Sequence, residues 1–160
     1  MNTRSFVAAL LLAAAPIAAQ VTASFTPLGT GCSSPSRTPP VLSATQLPYI
    51  GQELVVTVTN LIPNMPGLVI VGESGTTWLG LTLPANMAFL GGPNCTLYSS
   101  GECLGPCGTT DTGTVVMRAV VPNDRTLVGK EFWMQFWSRD VLSNAHGYAM
   151  SNGGHFKIGG

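Results

Sequence analysis

Cys95, Cys103 and Cys107 fall within one Gly- and Pro-rich stretch, GGPNCTLYSSGECLGPCG (91–108), and the fourth cysteine, Cys32, lies far upstream. Thiols so placed ligate a metal, cycle in a redox motif or cross-link the chain. A zinc set drawn from Cys95, Cys103 and Cys107 with His146 or His155 lacks the close cysteine pair of structural zinc sites, because seven and three residues separate the cysteines. A thioredoxin-type motif needs two intervening residues in a βαβ setting, and neither is present. Cross-linking is left, and all four cysteines are expected in disulfides, with no metal and no cofactor. Four cysteines admit three pairings. The Leu104-Gly105-Pro106 spacer predicts a turn that lets Cys103 bridge Cys107, which leaves Cys32 for Cys95. On a chain-entropy account the long closure contributes about 4 kcal/mol and the short one about 2 kcal/mol. Pairing Cys32 with Cys107 closes a loop of similar length, so entropy does not choose between those two.

Other residues offer less chemistry. His146 lies near Asp140 and Ser143, the residue types of a nucleophilic triad, but proximity along one loop does not make a triad. GESG (72–75) lacks one spacing residue of the serine elbow and no helical pattern follows it, so it reads as a strand-end turn. Glu53, Glu73 and Glu131 flank strands but are too scattered to propose a glycosidase pair. Asp111, Asp124 and Asp140 sit in loops without a calcium-binding pattern, where Asp and Asn bond their own backbone to make turns. Catalytic residues are therefore expected to be none. The aromatic set Trp78, Trp133, Trp137 and Tyr148 is the candidate ligand-binding group. Two indoles four residues apart on one strand form a flat platform for a sugar ring or a partner protein when exposed, and core filler when buried. Alternation does not say which face is wet, and core packing is the favoured reading.

These residues need a scaffold, and the bulk composition restricts it. Residues 1–19 carry Arg4 followed by an uncharged Ala- and Leu-rich run ending in small residues, the pattern of a secretory signal peptide. The run is shorter than the roughly 18 to 20 residues of a spanning helix, and no comparable stretch follows, so no membrane span is expected. Charged residues make up 9% of the chain and the formal net charge is zero, which gives no electrostatic support for binding nucleic acid. Thr, Ser, Asn and Gly must then do most of the solvating, as on many extracellular β proteins.

Residues 20–40 read as an extended, Pro-punctuated arm pinned by Cys32, and 41–160 as one β domain. GQELVVTVTNL (51–61) alternates Leu54, Val56 and Val58 with Val55, Thr57 and Thr59, the period-two pattern of a strand. LVIVGES (68–74) follows after IPNMPG, and the two predict a hairpin. TWLGLTLP (77–84), NCTLYSS, TGTVVMRAVVP (112–122), KEFWMQFWSRD, GYAMSN and GHFKIGG add further strands. Phe132, Met134 and Phe136 share one face, and Trp133, Gln135 and Trp137 the other. About eight short strands with turn signals between them predict an antiparallel two-sheet sandwich stapled by disulfides.

GTGC (29–32), LPYIGQEL (47–54), VIVGES (69–74), GLTLP (80–84), GGPNCTL (91–97), VVPNDRTLVGKEFWMQ (120–135) and SNGGHFKIGG (151–160) occur in an order that resembles a family of secreted β-sandwich domains of unknown function abundant in planctomycetes and some related bacteria. The resemblance implies an exported module in a free-standing version, with Cys32 and Cys95 as the shared bridge and Cys103 with Cys107 as a local addition. It implies no activity. The expected role is a non-enzymatic structural or adhesive module, secreted, at the cell surface or in the periplasm, contacting an extracellular protein or polysaccharide or its own kind through sheet edges. A carbohydrate-binding domain using exposed Trp residues is the alternative, and a small secreted hydrolase a distant third.

Overall fold

The computed structural model describes residues 20–160; the signal peptide expected at 1–19 lies outside them. The regular structure of the described residues is nearly all strand, joined antiparallel throughout the named sheets. In chain order the strands are β1 (Ser24–Leu28), β2 (Val41–Gln46), β3 (Glu53–Thr59), β4 (Pro66–Gly72), β5 (Thr77–Trp78), β6 (Leu81–Thr82), β7 (Ala85–Met87), β8 (Gly92–Leu97), β9 (Cys103–Gly108), β10 (Val115–Val120), β11 (Glu131–Arg139), β12 (Tyr148–Met150) and β13 (Gly153–Lys157). No helix among the described residues is long and apolar enough to cross a membrane.

A six-stranded sheet runs β1-β13-β11-β4-β9, with β12 also paired to β11, and a three-stranded sheet runs β10-β3-β2. Their facing sides enclose the larger core. β-Branched and aromatic residues at every second position make this possible: Leu54, Val56, Val58 and Leu42 from the small sheet meet Met134, Phe136 and Phe156 from the large one. This is the expected sandwich. Its large sheet is covered on the other side as well, by two short hairpins, β5-β6 and β7-β8. Between them and the sheet lies a second core of Ile70, Leu83, Met87, Leu97 and Met150 around the Cys32–Cys95 disulfide. Both faces of β11 are thus packed, which is why its central residues Met134, Gln135 and Phe136 are all buried.

The arm at 20–40 is extended, and its first part is built into the sheet: β1 pairs with β13 along its whole length, Ser24 opposite Lys157 to Leu28 opposite Gly153. The chain then crosses to the second core, where Cys32 exchanges backbone hydrogen bonds of 2.8 and 3.1 Å with Met150.

Three local expectations are corrected. β3 and β4 are not a hairpin, because β3 pairs with β2 and β10 while β4 pairs with β11 and β9. The connection between them carries the chain from one sheet to the other, with Asn60 and Asn64 both at positive φ. TWLGLTLP is not one strand. It folds back at Leu79 and Gly80, at φ 46° and 83°, the left-handed pair of a two-residue hairpin turn. Finally, LGP does not form a turn between Cys103 and Cys107. It lies inside β9, and both thiols are free. Four residues of extended strand span about 13 Å, beyond the reach of a disulfide.

Candidate functional site

The hairpin layer does not cover the whole outer face of the large sheet. At the corner where β4, β9 and the ends of β11 and β12 meet, Trp137 and Tyr148 lie half-buried beside Pro66, Leu68 and Arg139, bordering an open depression of about 250 Å³. Strand register builds this surface. Trp137 stands opposite Leu68, and Leu68 opposite Pro106, so a cross-strand row of apolar side chains runs from β11 to the sheet edge. Arg139 stands opposite Tyr148 at the polar end.

The Trp137 and Tyr148 rings stack with centroids 5.4 Å apart and planes 11° from parallel. The Tyr148 hydroxyl donates to the Leu90 carbonyl at 3.1 Å, and partial burial raises its pKa above the usual phenol value. The Trp137 Nε1 hydrogen has no partner among the described residues and no access to solvent. Beneath Tyr148, the loop 140–147 is held by Asn144, whose Nδ2 donates to the Tyr148 carbonyl at 2.7 Å and whose Oδ1 accepts from the His146 and Tyr148 amides. The shelf is therefore rigidly mounted. His146 is exposed at its margin.

The flat platform that Trp133 and Trp137 would make if both were exposed is not formed, and both indoles are half-buried. Buried Gln135 stands between them, and each indole has its own stacking partner: Trp133 lies on His155 at 4.6 Å and 9°, and His155 reaches Glu131 at 3.1 Å. Gly75 faces the Trp133 ring at a point where a Cβ would collide with it. Trp78 is separate again, packed over Gly101 in a wide depression of about 680 Å³ that includes Glu73, Ser74, Leu79 and Glu102. Of the four aromatic candidates, the structure brings together only Trp137 and Tyr148. Pro66, Leu68 and Arg139 escaped sequence reasoning because only cross-strand register connects them to Trp137.

The residues of the triad considered above share a loop but are not wired together. Asp140 is buried and its Oδ1 accepts from the Leu142 amide at 3.1 Å, closing the turn, while the Ser143 hydroxyl has no hydrogen-bond partner among the described residues. The zinc set loses Cys95 to its disulfide with Cys32.

Around Trp78, Glu102 has a fixed role. Its Oε2 accepts from the Ser100 hydroxyl at 2.6 Å and from the Glu73 amide at 3.0 Å, and chiefly the Ser100 bond lowers its pKa. A carboxylate whose pKa falls on folding adds stability that is present above its unfolded pKa and is lost as pH drops through the folded value. Glu102→Gln is therefore expected to destabilise by less than about 1 kcal/mol at neutral pH, since water screens so exposed a group. Thermal unfolding of both forms measured from pH 7 downward should converge below the ordinary carboxylate range. A gap that persisted into acid would show that Glu102 acts through packing.

Comparison with protein-family models, curated proteins and solved structures finds no match. The functional reading therefore rests on the surface itself.

Proposed function

We propose that this chain is a non-enzymatic binding module of the cell exterior, structural or adhesive, which engages an extended partner through the open corner of its large sheet. The observation that carries this reading is the half-buried Trp137–Tyr148 stack, which borders an open depression at the edge of the hairpin layer and is prolonged by Leu68 and Pro106 toward the sheet edge. A rigid apolar shelf with polar groups on one side suits repeated contact with a polymer, because it binds with little loss of side-chain freedom. The low charge of the chain and the disulfide are consistent with an oxidising, extracytoplasmic setting.

A carbohydrate ligand is the second reading, favoured by Arg139 and His146 at the shelf, where they can bond sugar hydroxyls while a ring stacks on the indole. Trp137→Ala is expected to weaken retention on an insoluble polysaccharide panel about tenfold, which corresponds to about 1.4 kcal/mol. Trp133→Ala should leave retention unchanged. Pull-down on the panel, with circular dichroism to verify the fold, makes the measurement. Equal binding by Trp137→Ala and the parent chain removes the sugar reading, and loss with Trp133→Ala moves the site away from this corner.

A further inference from the structure

β9 is the last strand of the large sheet, and among the described residues its outer edge has no partner. The Thr109 amide donates to the Met65 carbonyl, which sets the alternation of the ladder. Amides at Cys103, Gly105 and Cys107 accordingly point toward β4, while those at Leu104 and Gly108 point outward. Pro106 occupies the place between them and offers no N–H. The edge is thus blunted against open-ended backbone pairing.

It also carries two free thiols on the same face, each two residues from Gly105; Cys103 is exposed and Cys107 half-buried. While β9 stays extended they cannot bridge one another. The Cys32–Cys95 disulfide is consistent with maturation in an oxidising setting, where an exposed Cys103 thiol does not persist.

We propose that a second copy of this chain docks on β9, antiparallel about Gly105, with Cys103 of each copy disulfide-bonded to Cys107 of the other. Three features of the strand agree with this register. Odd-numbered positions of β9 face the new partner as non-hydrogen-bonded pairs, whose α-carbons lie about 4.5 Å apart, within disulfide range. The two-fold relation makes both bridges at once, so the contact closes on itself. Leu104 of each copy meets Pro106 of the other and donates to its carbonyl, while Gly108 meets Glu102. Pro106 removes one backbone bond from each half, so the sulfur bridges hold the contact rather than the ladder.

The oxidant is an external disulfide, either a small thiol dimer or a dithiol oxidase. For each bridge, the Cys103 thiolate attacks the oxidant's sulfur and releases one thiol. The Cys107 thiolate of the other copy then attacks the Cys103 sulfur and releases the second. Two protein thiols are oxidised and one disulfide is reduced to two thiols. Cys103 reacts first because it is exposed, whereas burial raises the pKa of Cys107. The joined sheet would carry both Trp137 corners on one face; that bivalence rests on the function proposed above, and the bridges do not.

The test is purification of the chain in a glutathione redox couple, followed by non-reducing electrophoresis, light scattering and mass spectrometry of disulfide-linked peptides. The expected result is a covalent dimer containing the Cys103–Cys107 cross-link. Cys103→Ser and Cys107→Ser should each be monomeric alone and should form a single-bridge dimer when mixed, which only this register allows. The double variant should stay monomeric with an unchanged melting temperature. An intrachain Cys103–Cys107 bridge, persistent free thiols, a glutathione adduct alone or a dimer linked Cys103 to Cys103 would each overturn the proposal. Polysaccharide retention is read separately, so its loss or survival leaves this result intact.

Discussion

Replacing Cys32 or Cys95 by Ser lowers the free energy of unfolding by about 4 kcal/mol. The bridge joins positions 63 residues apart, and closing a loop of that length removes roughly this much free energy from the unfolded chain's conformational freedom. Its location adds to the effect. Both sulfurs are buried in the second core, and the Cys32 backbone is bonded to Met150, so the bridge ties the segment after β1 to β8 beside β12. With a typical domain stable by about 5–15 kcal/mol, a change of this size consumes much of the margin. Urea unfolding of Cys32→Ser, of Cys95→Ser and of the parent chain under reductant should give the same displaced midpoint. Ser at both Cys103 and Cys107 should leave the midpoint of the isolated chain nearly in place, since neither belongs to an internal bridge. A shift below about 1 kcal/mol on losing Cys32–Cys95 would mean that packing alone holds the two segments together.

Strands whose side chains alternate cleanly were readable before any coordinates. β3, β4, β10 and β11 declare themselves through β-branched and aromatic residues at period two, and the two faces of β11 separate Phe132, Met134 and Phe136 from Trp133, Gln135 and Trp137 as the alternation requires. β9 was hidden because Gly and Pro, which make up half of its six residues, are poor strand formers. It is a strand because β4 offers an unpaired edge, Gly105 makes room beside the Val69 side chain, and Thr109 clamps its end by donating to the Ile62 carbonyl at 2.6 Å. The hairpin layer was also hidden. Leu83, Met87 and Leu97 lie in short segments with no sustained period, and only their common contact with the far side of β11 and β4 makes them a core.

The same covering explains the fate of the aromatic set. Alternation placed Trp133 and Trp137 on one face, but whether that face is wet depends on where the hairpins stop. Both indoles are half-buried, Trp133 stacked on His155 and Trp137 at the rim of the second core, so β11 passes from a packed interior at Gln135 to the edge of an open depression at Trp137 within two residues. The candidate site is thus the unburied remainder of a core-forming surface. Binding residues and core residues share one strand and one chemical type, which is why sequence pattern could not separate them.

Gln135 marks that boundary, and its substitution should produce the other large effect. The side chain is fully buried, and both amide hydrogens and the carbonyl oxygen are engaged: Nε2 donates to the Thr96 and Ser151 carbonyls at 2.8 Å each, and Oε1 accepts from the Tyr98 amide at 3.0 Å. It therefore fastens the chain of β8 and the residues after it to the centre of β11. Gln135→Leu keeps the volume but strands three backbone groups away from water, and at about 1–3 kcal/mol for each the loss is expected to reach about 3 kcal/mol or more. Gln135→Glu should be worse at neutral pH, because a buried carboxylate can accept from Tyr98 but faces two carbonyls without a hydrogen to give. Acidification to the carboxylate's raised pKa should recover part of that loss, since the protonated acid regains one donor. Urea midpoints of the two variants across pH, with amide exchange at Tyr98 as the local readout, give the comparison. If Gln135→Leu unfolds at the parent midpoint while the Tyr98 amide stays protected, the hairpin layer is held by its apolar contacts and the polar clamp contributes nothing to its attachment.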